Sequence, residues 1–317
     1  MTIRSSHLNE ISEKLRGDGL CLRTGPFSVR VQSNIQSVAE CIHLLYQHHP
    51  MQNLEFCDYH LAITQPSGLR RWFRPQINFE VDGMIPFKPM PLDQAYATFE
   101  WGYNYCISSY AHQFLIIHAA VVEKHGFAMI MPAQPGSGKS TLTAALASKG
   151  WRLLSDELTL IPIENADTVV PLARPINLKN ASIDVMREYA PEEVFGPTVS
   201  DTAKGTVTHM RAPISSIDRM NEPAQQKLIV FPQYHRNSPT QIKPRSKARA
   251  FMEIAEQSFN FNIHGKTGFD ILNATISNCD CYDFRYSNLD EAIELFDQLI
   301  EQQHYSKESA RLAESST

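Results

Sequence analysis

Residues 133–141 have the types and spacing of a loop that binds phosphate. The stretch opens with alanine, continues through four variable residues and ends in glycine, lysine, serine and threonine, which fits the relaxed form of the phosphate-loop pattern. Gly136 and Gly138 allow the backbone to bend until successive N–H groups face one anion. Lys139 can then contact the β- and γ-phosphates, and the Ser140 hydroxyl can ligate Mg²⁺. The loop residues are Ala133, Gln134, Pro135, Gly136, Ser137, Gly138, Lys139, Ser140 and Thr141.

Two adjacent carboxylates follow the loop, Asp156 and Glu157, at the end of an apolar stretch. In phosphoryl transfer one acid holds the metal ion or its waters, and a second can take the proton of the acceptor hydroxyl. The alternative is a solvated acidic turn. The apolar residues on both sides favour the functional interpretation, so we predict that both acids belong to the site.

Several other polar residues leave two interpretations open. His118 interrupts the apolar stretch 114–122 and lies near the phosphates if this strand pairs with the one before the loop, although a lone histidine in a strand is more often a packed core residue. Residues 204–249 carry nine Lys and Arg against two acids. This segment, with Lys204, His209 and Arg211, could clamp a phosphate or an acidic partner, or form a solvated face. Arg174 has the same two interpretations.

The elements that position the loop are predicted from apolar spacing. A strand at residues 127–131 precedes it, and a helix at 140–149, ended by Gly150, follows it. Residues 114–122 predict a strand that a tight turn joins to 127–131, and residues 151–163 predict one or two more strands. The remaining predictions are a strand at 228–231, helices near 246–259 and 267–278, a strand at 281–286, a last helix opened by a capping box from Ser287 to Asp290, and a polar tail from His304.

The N-terminal third predicts a small α+β unit. Alternating and helical apolar spacings indicate strands and helices that together make an antiparallel sheet with two helices. These elements are a strand at 27–31, a helix at 35–45, strands near 59–63 and 77–81 with a turn at 66–68, and a long helix from 92 to 110.

Composition narrows the class of protein. The chain has 317 residues, of which 43% are apolar, and a formal charge of −5, so it can bury a large core and shows no charge excess typical of nucleic-acid or membrane-surface binding. The first nineteen residues lack an apolar signal region, and the longest apolar run is too short to span a membrane. The six cysteines form no C-x-x-C pair, which favours reduced core residues over disulfides, and over a metal or redox site at Cys279 and Cys281. These features predict a cytoplasmic protein.

The motifs together resemble the catalytic core of HPr kinase/phosphorylase, whose fold is related to that of ATP-dependent phosphoenolpyruvate carboxykinase. The resemblance lies in Ile117 and His118, the turn, the loop at 135–140, and the run from Gly150 to Glu157. It implies that His118 is an active-site histidine, that Lys139 and Ser140 contact phosphate and Mg²⁺, that Asp156 is a metal-side acid, and that Glu157 is the base. Three positions differ from the family pattern: Ala133 stands at the first loop glycine, Ala119 follows the histidine in place of glycine, and Glu157 replaces an aspartate.

The chain resembles most closely the bacterial subgroup called HPr kinase-related kinase A. Matching stretches are spread over nearly the whole chain, at residues 23–27, 69–72, 177–185, 195–197, 201–205 and 279–283. The resemblance implies one bacterial cytoplasmic kinase polypeptide that self-associates, with a peptide or carrier protein as acceptor. HPr itself is not expected to be that acceptor, because we find no counterpart of the C-terminal signature that engages it.

The sequence therefore predicts an α/β protein with three parts. These are a small α+β unit at residues 1–111 for recognition of an acceptor or partner, an HPr kinase-like nucleotide-binding domain at 112–303, and a flexible tail at 304–317. The expected activity is Mg²⁺-dependent transfer of the γ-phosphoryl group of ATP to a hydroxyl, with a serine as the favoured acceptor and with neither nucleic acid nor membrane as partner. A small-molecule kinase and a regulator that binds ATP without transferring phosphate are the two alternatives.

Overall fold

The structure is a computed structural model that describes residues 2–52, 55–66, 68 and 73–314, with no description of the side chains of 306–314. The predicted turn at 66–68 lies partly outside the described residues. The stretch 69–72, which carries part of the family resemblance, lies wholly outside them.

The described part of the chain is a mixed α/β structure. Its strands are β1 (Leu20–Thr24), β2 (Phe27–Ser33), β3 (Tyr59–Thr64), β4 (Gln76–Val81), β5 (Met90–Pro91), β6 (Phe114–Ile117), β7 (Ala119–Lys124), β8 (Phe127–Pro132), β9 (Arg152–Ser155), β10 (Thr159–Pro162), β11 (Thr168–Val169), β12 (Ile176–Lys179), β13 (Val199–Thr202), β14 (Gly205–Met210), β15 (Ala224–Tyr234), β16 (Gln241–Pro244) and β17 (Asp280–Tyr286). Its α-helices are α1 (Leu8–Arg16), α2 (Gln36–Leu45), α3 (Ala95–Tyr110), α4 (Lys139–Ser148), α5 (Ala181–Tyr189), α6 (Ile214–Asp218), α7 (Lys247–Glu256), α8 (Phe261–His264), α9 (Lys266–Asn278) and α10 (Leu289–Glu314).

The chain forms two compact units, and each contains two separate stretches of sequence. The first unit consists of Met1–Phe114 and Val170–Glu222, and the second of Leu115–Val169 and Pro223–Thr317. This division differs from the predicted one, which placed all of 112–303 in a single domain. The physical reason is that the side chains of 170–222 pack with the N-terminal segment: Arg174, for example, forms a buried ion pair with Glu100.

The first unit contains a mixed sheet in the order β1-β2-β3-β4-β5. The prediction of an antiparallel sheet is wrong at one position, because β2 and β3 pair in parallel. Parallel neighbours need a long crossover, and α2 provides it between these two strands. A smaller sheet in the order β12-β14-β13 belongs to the same unit.

The second unit is built on a larger sheet in the order β16-β17-β15-β8-β7-β9, with β11 also paired to β15. Its strands β8, β15 and β17 run parallel to one another, whereas β7 is antiparallel to both β8 and β9. Apolar side chains such as Ile130, Ile229 and Leu272 are fully buried in its core. The predicted strand and helix on either side of the loop are confirmed as β8 and α4, and Gly150 follows α4 with a left-handed φ of 92°.

Three boundaries in this unit differ from the predictions. The apolar stretch 114–122 is not one strand, because His118 separates β6 from β7 and β6 pairs with β10 in a sheet of its own. The last helix begins at Leu289, so its N-cap is Asn288, whose side chain accepts hydrogen bonds from the N–H groups of residues 290 and 291. Ser287 instead donates to the carbonyl of Ser238 at 2.7 Å. The helix then continues beyond residue 304, where a flexible tail was predicted.

Among the described residues, we find no helix with the length and apolarity to cross a membrane.

Candidate functional site

The predicted phosphate loop connects the carboxyl end of β8 to the amino end of α4. Gly136 and Gly138 have φ angles of 84° and 88°, in the left-handed region that favours glycine. At Gly138 space matters as well as conformation, because a Cβ atom there would lie 2.8 Å from Cβ of Tyr234 and 2.5 Å from the hydroxyl oxygen of Tyr286. Only glycine fits this position without a shift of its neighbours.

Hydrogen bonds fix the loop to the ends of the two strands beyond β8. The N–H of Tyr234, the last residue of β15, donates to the carbonyl of Ser137 at 2.8 Å. The hydroxyl of Tyr286, the last residue of β17, donates to the carbonyl of Gly138 at 3.0 Å. The loop therefore lies across the carboxyl ends of three parallel strands, the position at which open α/β sheets bind ligands.

The loop and the first turn of α4 concentrate hydrogen-bond donors. The first N–H groups of any helix have no carbonyl one turn earlier to accept them, and the helix dipole adds partial positive charge there. Lys139, at the first helical position, has only 8% of its surface exposed. Ser140 and Thr141 are half-buried. The Ser137 hydroxyl is buried and has no hydrogen-bond partner among the described residues, so it can bond to a ligand.

The two predicted acids follow β9 directly. Asp156 is buried, with 7% of its surface exposed, and Glu157 is half-buried. The turn that carries them is held on both sides: the N–H of Leu158 donates to Oγ of Ser155 at 3.0 Å, and the Thr159 hydroxyl donates to the carbonyl of Ala119 at 3.1 Å. This turn is not the freely solvated loop of the alternative interpretation.

His118 lies in the break between β6 and β7. Its side chain is half-buried, and its ring centroid lies 5.8 Å from that of Phe259. Its backbone N–H donates to the carbonyl of Gln257 at 2.9 Å. The break makes His118 the residue immediately before β7, and the partial exposure differs from that of a packed core histidine.

The strand register brings these three segments to one edge of the sheet. Ala119, which follows His118, is opposite Pro132, which precedes the loop. On the other side of β7, Val121 is opposite Ser155, which precedes Asp156. Neighbouring strands lie about 4.8 Å apart, so the histidine, the loop and the acidic turn occupy consecutive positions along this edge. The condition set for His118, that its strand pairs with the loop strand, is met by β7.

Arg174 is not part of this edge and belongs to the first unit. It is buried and forms an ion pair with Glu100, bonds to Asn104 at 2.6 Å and lies over the ring of Tyr103. Burial alone would raise the pKa of Glu100, but the charge of Arg174 and the hydrogen bonds from two tyrosines lower it. Arg174 is thus neither a solvated cation nor a loop residue.

The basic segment 204–249 is divided between the two units, with residues 204–222 in the first and 223–249 in the second. His209 is buried against the ring of Tyr96, Lys204 lies over Trp101, and Arg211 bonds to Gln47. Within the first unit, these three basic side chains therefore contact aromatic and amide side chains of that same unit.

Cys279 and Cys281 are both buried in the core of the second unit. Burial raises the pKa of Cys281 to about 11 and raises that of Cys279 further, so both thiols stay protonated. Among the described residues, no group of three or more His, Cys, Asp or Glu side chains could hold a metal ion by itself.

Sequence reasoning missed Tyr234 and Tyr286, which fix the loop. Each is the last residue of a strand that runs parallel to β8, a position that often contributes to sites in parallel sheets. The signal was present in the sequence, but the order of the strands was not, so nothing placed these two residues beside Gly138.

No family model matches this chain, and no curated protein matches it in sequence. Solved structures that match include the HPr(Ser) kinase/phosphatase from Coxiella burnetii, over 61% of this chain and 98% of that one, with 10% sequence identity and a TM-score of 0.26. At this TM-score the likeness assigns no role to any residue.

Proposed function

We propose that this protein binds ATP with Mg²⁺ at residues 133–141 and transfers the γ-phosphoryl group to the hydroxyl of a serine in a peptide or protein. The observation that carries the proposal is the meeting of the loop, the acidic turn and His118 at one edge of the sheet. A loop alone would indicate phosphate binding. An acid pair and a histidine beside it add the groups that move a proton during transfer.

The residues have separate roles in this proposal. The N–H groups of Gly136, Gly138 and the first turn of α4 bind the phosphate oxygens, and Lys139 neutralises their charge. Glu157 accepts the proton of the acceptor hydroxyl while the acceptor oxygen bonds to the γ-phosphorus. The bond from that phosphorus to the bridging oxygen of the β-phosphate breaks, and ADP leaves with the electron pair. His118 orients the acceptor beside Glu157.

The donor set fits Mg²⁺. Ser140 and Asp156 offer a hydroxyl and a carboxylate, the hard oxygen ligands that this ion prefers, and Mg²⁺ commonly takes only one or two protein ligands and completes its shell with phosphates and water. When bound, the ion supplies positive charge at the β- and γ-phosphates.

The kind of acceptor is proposed from the sequence motifs. The resemblance to HPr kinase-related kinases favours a peptidyl or protein serine over a free metabolite, and it also motivates the proposals of self-association and of a bacterial cytoplasmic setting.

The test is to incubate the purified protein with Mg²⁺, a lysate and ATP radiolabelled in the γ-phosphate, followed by separation by mass. We expect a labelled polypeptide. A labelled metabolite would identify a small-molecule kinase instead, and ATP binding without any labelled product would identify a regulator that does not transfer phosphate.

A second test separates the two acids. Glu157→Gln removes the base but leaves the metal-side acid, so it should bind Mg²⁺ and ATP like the wild type and lose transfer. Asp156→Asn should weaken binding of ATP in the presence of Mg²⁺. Calorimetry that shows lost binding in Glu157→Gln would make Glu157 a metal residue and contradict its role as the base.

A further inference from the structure

The position of the acids limits where the rest of a bound nucleotide can lie. In the proposed function, on which this inference rests, the γ-phosphate lies toward the acidic turn and His118, beside β9 and β7. Both of these strands lie on one side of β8, and β15 and β17 lie on the other. A triphosphate bound along the loop with its γ end toward β7 therefore directs the ribose and base toward the end of β15.

The end of β15 carries an aromatic ring in contact with the loop. Tyr234 is 49% exposed although its backbone is bonded to Ser137. Its Cβ lies only 2.8 Å from where a side chain at Gly138 would begin, so the ring starts directly beside the phosphate-binding backbone.

The ring of Tyr234 packs against the ring of Tyr286. Its centroid lies 5.7 Å from that of Tyr286, with the rings edge to face, and Tyr286 in turn stacks on Phe284 at 5.3 Å. Tyr286 is buried and its hydroxyl bonds to the loop at Gly138. Tyr286 therefore anchors both the loop and the ring, while half of the Tyr234 side chain stays open to solvent.

An exposed, supported aromatic ring can stack against a nucleobase. Stacking on an aromatic side chain adds binding energy without any particular pattern of hydrogen bonds, because every base has a π-face. We propose that Tyr234 is the stacking platform for the base of the nucleotide whose triphosphate occupies residues 133–141. The platform acts on the nucleoside part of the ligand alone.

The test compares ATP with inorganic tripolyphosphate, which has the phosphates but no base. Affinities of both, with Mg²⁺, are measured by calorimetry on the full chain for the wild type, Tyr234→Ala, Tyr234→Phe and the control Tyr110→Ala, whose side chain is 45% exposed in the other unit. We expect Tyr234→Ala to weaken ATP binding about tenfold and to leave tripolyphosphate binding within about twofold of the wild type. Tyr234→Phe and Tyr110→Ala should bind both ligands within about twofold of the wild type.

The outcomes separate this inference from the proposed function. If the wild type binds neither ligand, the proposed function fails and the platform with it. If the wild type binds both and Tyr234→Ala weakens both equally, Tyr234 only shapes the loop, and the platform is overturned while the loop assignment stands. Equal ATP affinity in the wild type and Tyr234→Ala also overturns the platform.

A fluorescence measurement provides a check that does not depend on removing the ring. In Tyr234→Trp, ATP should quench the added indole emission relative to the wild-type background, and tripolyphosphate should not. Equal responses to the two ligands would contradict stacking.

Discussion

The buried pair Glu100 and Arg174 in the first unit and the buried Lys139 of the loop in the second unit lie in different polar surroundings. In the first unit the Glu100 carboxylate accepts hydrogen bonds from the hydroxyls of Tyr46 and Tyr96 at 2.8 and 2.7 Å and forms an ion pair with Arg174. Arg174 also donates to the Tyr46 hydroxyl, to the side chain of Asn104 and to the carbonyl of Glu100. Every partner in this network is a residue of the first unit.

The second unit arranges its polar groups around a loop. Gly136 and Gly138 have left-handed conformations, and the buried hydroxyl of Ser137 has no hydrogen-bond partner among the described residues. A buried hydroxyl without a partner costs free energy unless a ligand bonds to it, so such a group in a folded protein points to a functional site. The comparison teaches that a buried charge indicates a site only where the surrounding hydrogen bonds remain open to a ligand.

The largest expected effect is on catalysis. Lys139→Ala removes the charge that neutralises the phosphates, so ATP turnover should fall by roughly a thousandfold. The measurement is ADP release with a thermal melt of the same sample, which shows whether the variant is folded. Lys149→Ala, at the other end of the same helix, is the control and should retain activity. Turnover like that of the wild type in folded Lys139→Ala would remove the phosphate-loop assignment.

The matching change in the first unit should act on stability. Arg174→Ala leaves the buried carboxylate of Glu100 without its counter-ion, which typically costs about 3–5 kcal/mol of unfolding free energy. Urea unfolding of the wild type and the variant measures this loss of unfolding free energy. Arg219→Ala removes a cation from an exposed ion pair with Glu222 in the same unit and should cost less than about 1 kcal/mol. Similar losses in the two variants would contradict the closed network.

The first unit should also lose stability in mild acid. Burial lowers the pKa of His49 from its ordinary value of 6.5 to about 4, so the unfolded state binds a proton that the folded state does not. Stability is then fully present above pH 6.5 and falls as the pH drops toward 4, by about 2 kcal/mol between pH 7.5 and 5.

Urea unfolding of the full chain at several pH values checks whether His49 causes this pH dependence. His49→Gln keeps an N–H for the carbonyl of Ala173, which His49 bonds at 2.9 Å, but cannot take up a proton. Its unfolding free energy should change less than that of the wild type over this interval. An identical pH dependence in the two proteins would assign the effect to other groups.

The smallest expected effect comes from glycine. Gly138→Ala and Gly150→Ala both place a side chain at a φ near 90°, which costs about 1 kcal/mol each. At Gly150 a Cβ meets nothing within 4 Å, whereas at Gly138 it meets Tyr234. Gly138→Ala should therefore lose more unfolding free energy than Gly150→Ala and should also lose ATP affinity. Equal losses would show that the tyrosines can move aside.

The sequence predicted the loop well because its signal is local. The strand before residue 133, the helix after it and the left-handed Gly150 all follow from nearby residues, and the structure has each of them. The prediction of an antiparallel pair for β2 and β3 was wrong because it did not use the helix predicted between them, which provides a parallel crossover. The contacts of Arg174 could not be predicted, because Glu100 is 74 residues away and local spacing carries no information about it.

In the candidate site, too, the local features could be predicted from the sequence and the long-range ones could not. The residue types at 118, 139, 156 and 157 came from motifs, and the register of β7 with β8 and β9 supplied their common edge. Their roles stay predictions, because proximity along a sheet does not define chemistry. Tyr234 was missed because its relation to the loop depends on the order of strands.

The pairing of β11 with β15 has a consequence for how the molecule could be divided. Val169 and Ala224 are direct partners in this antiparallel ladder, and the excursion of the chain into the first unit, Val170–Glu222, lies between them. It therefore departs and returns one strand spacing apart, as an inserted segment does. A two-residue hairpin turn such as Asn-Gly matches that separation and could replace the whole excursion, joining the two stretches of the second unit into one continuous polypeptide.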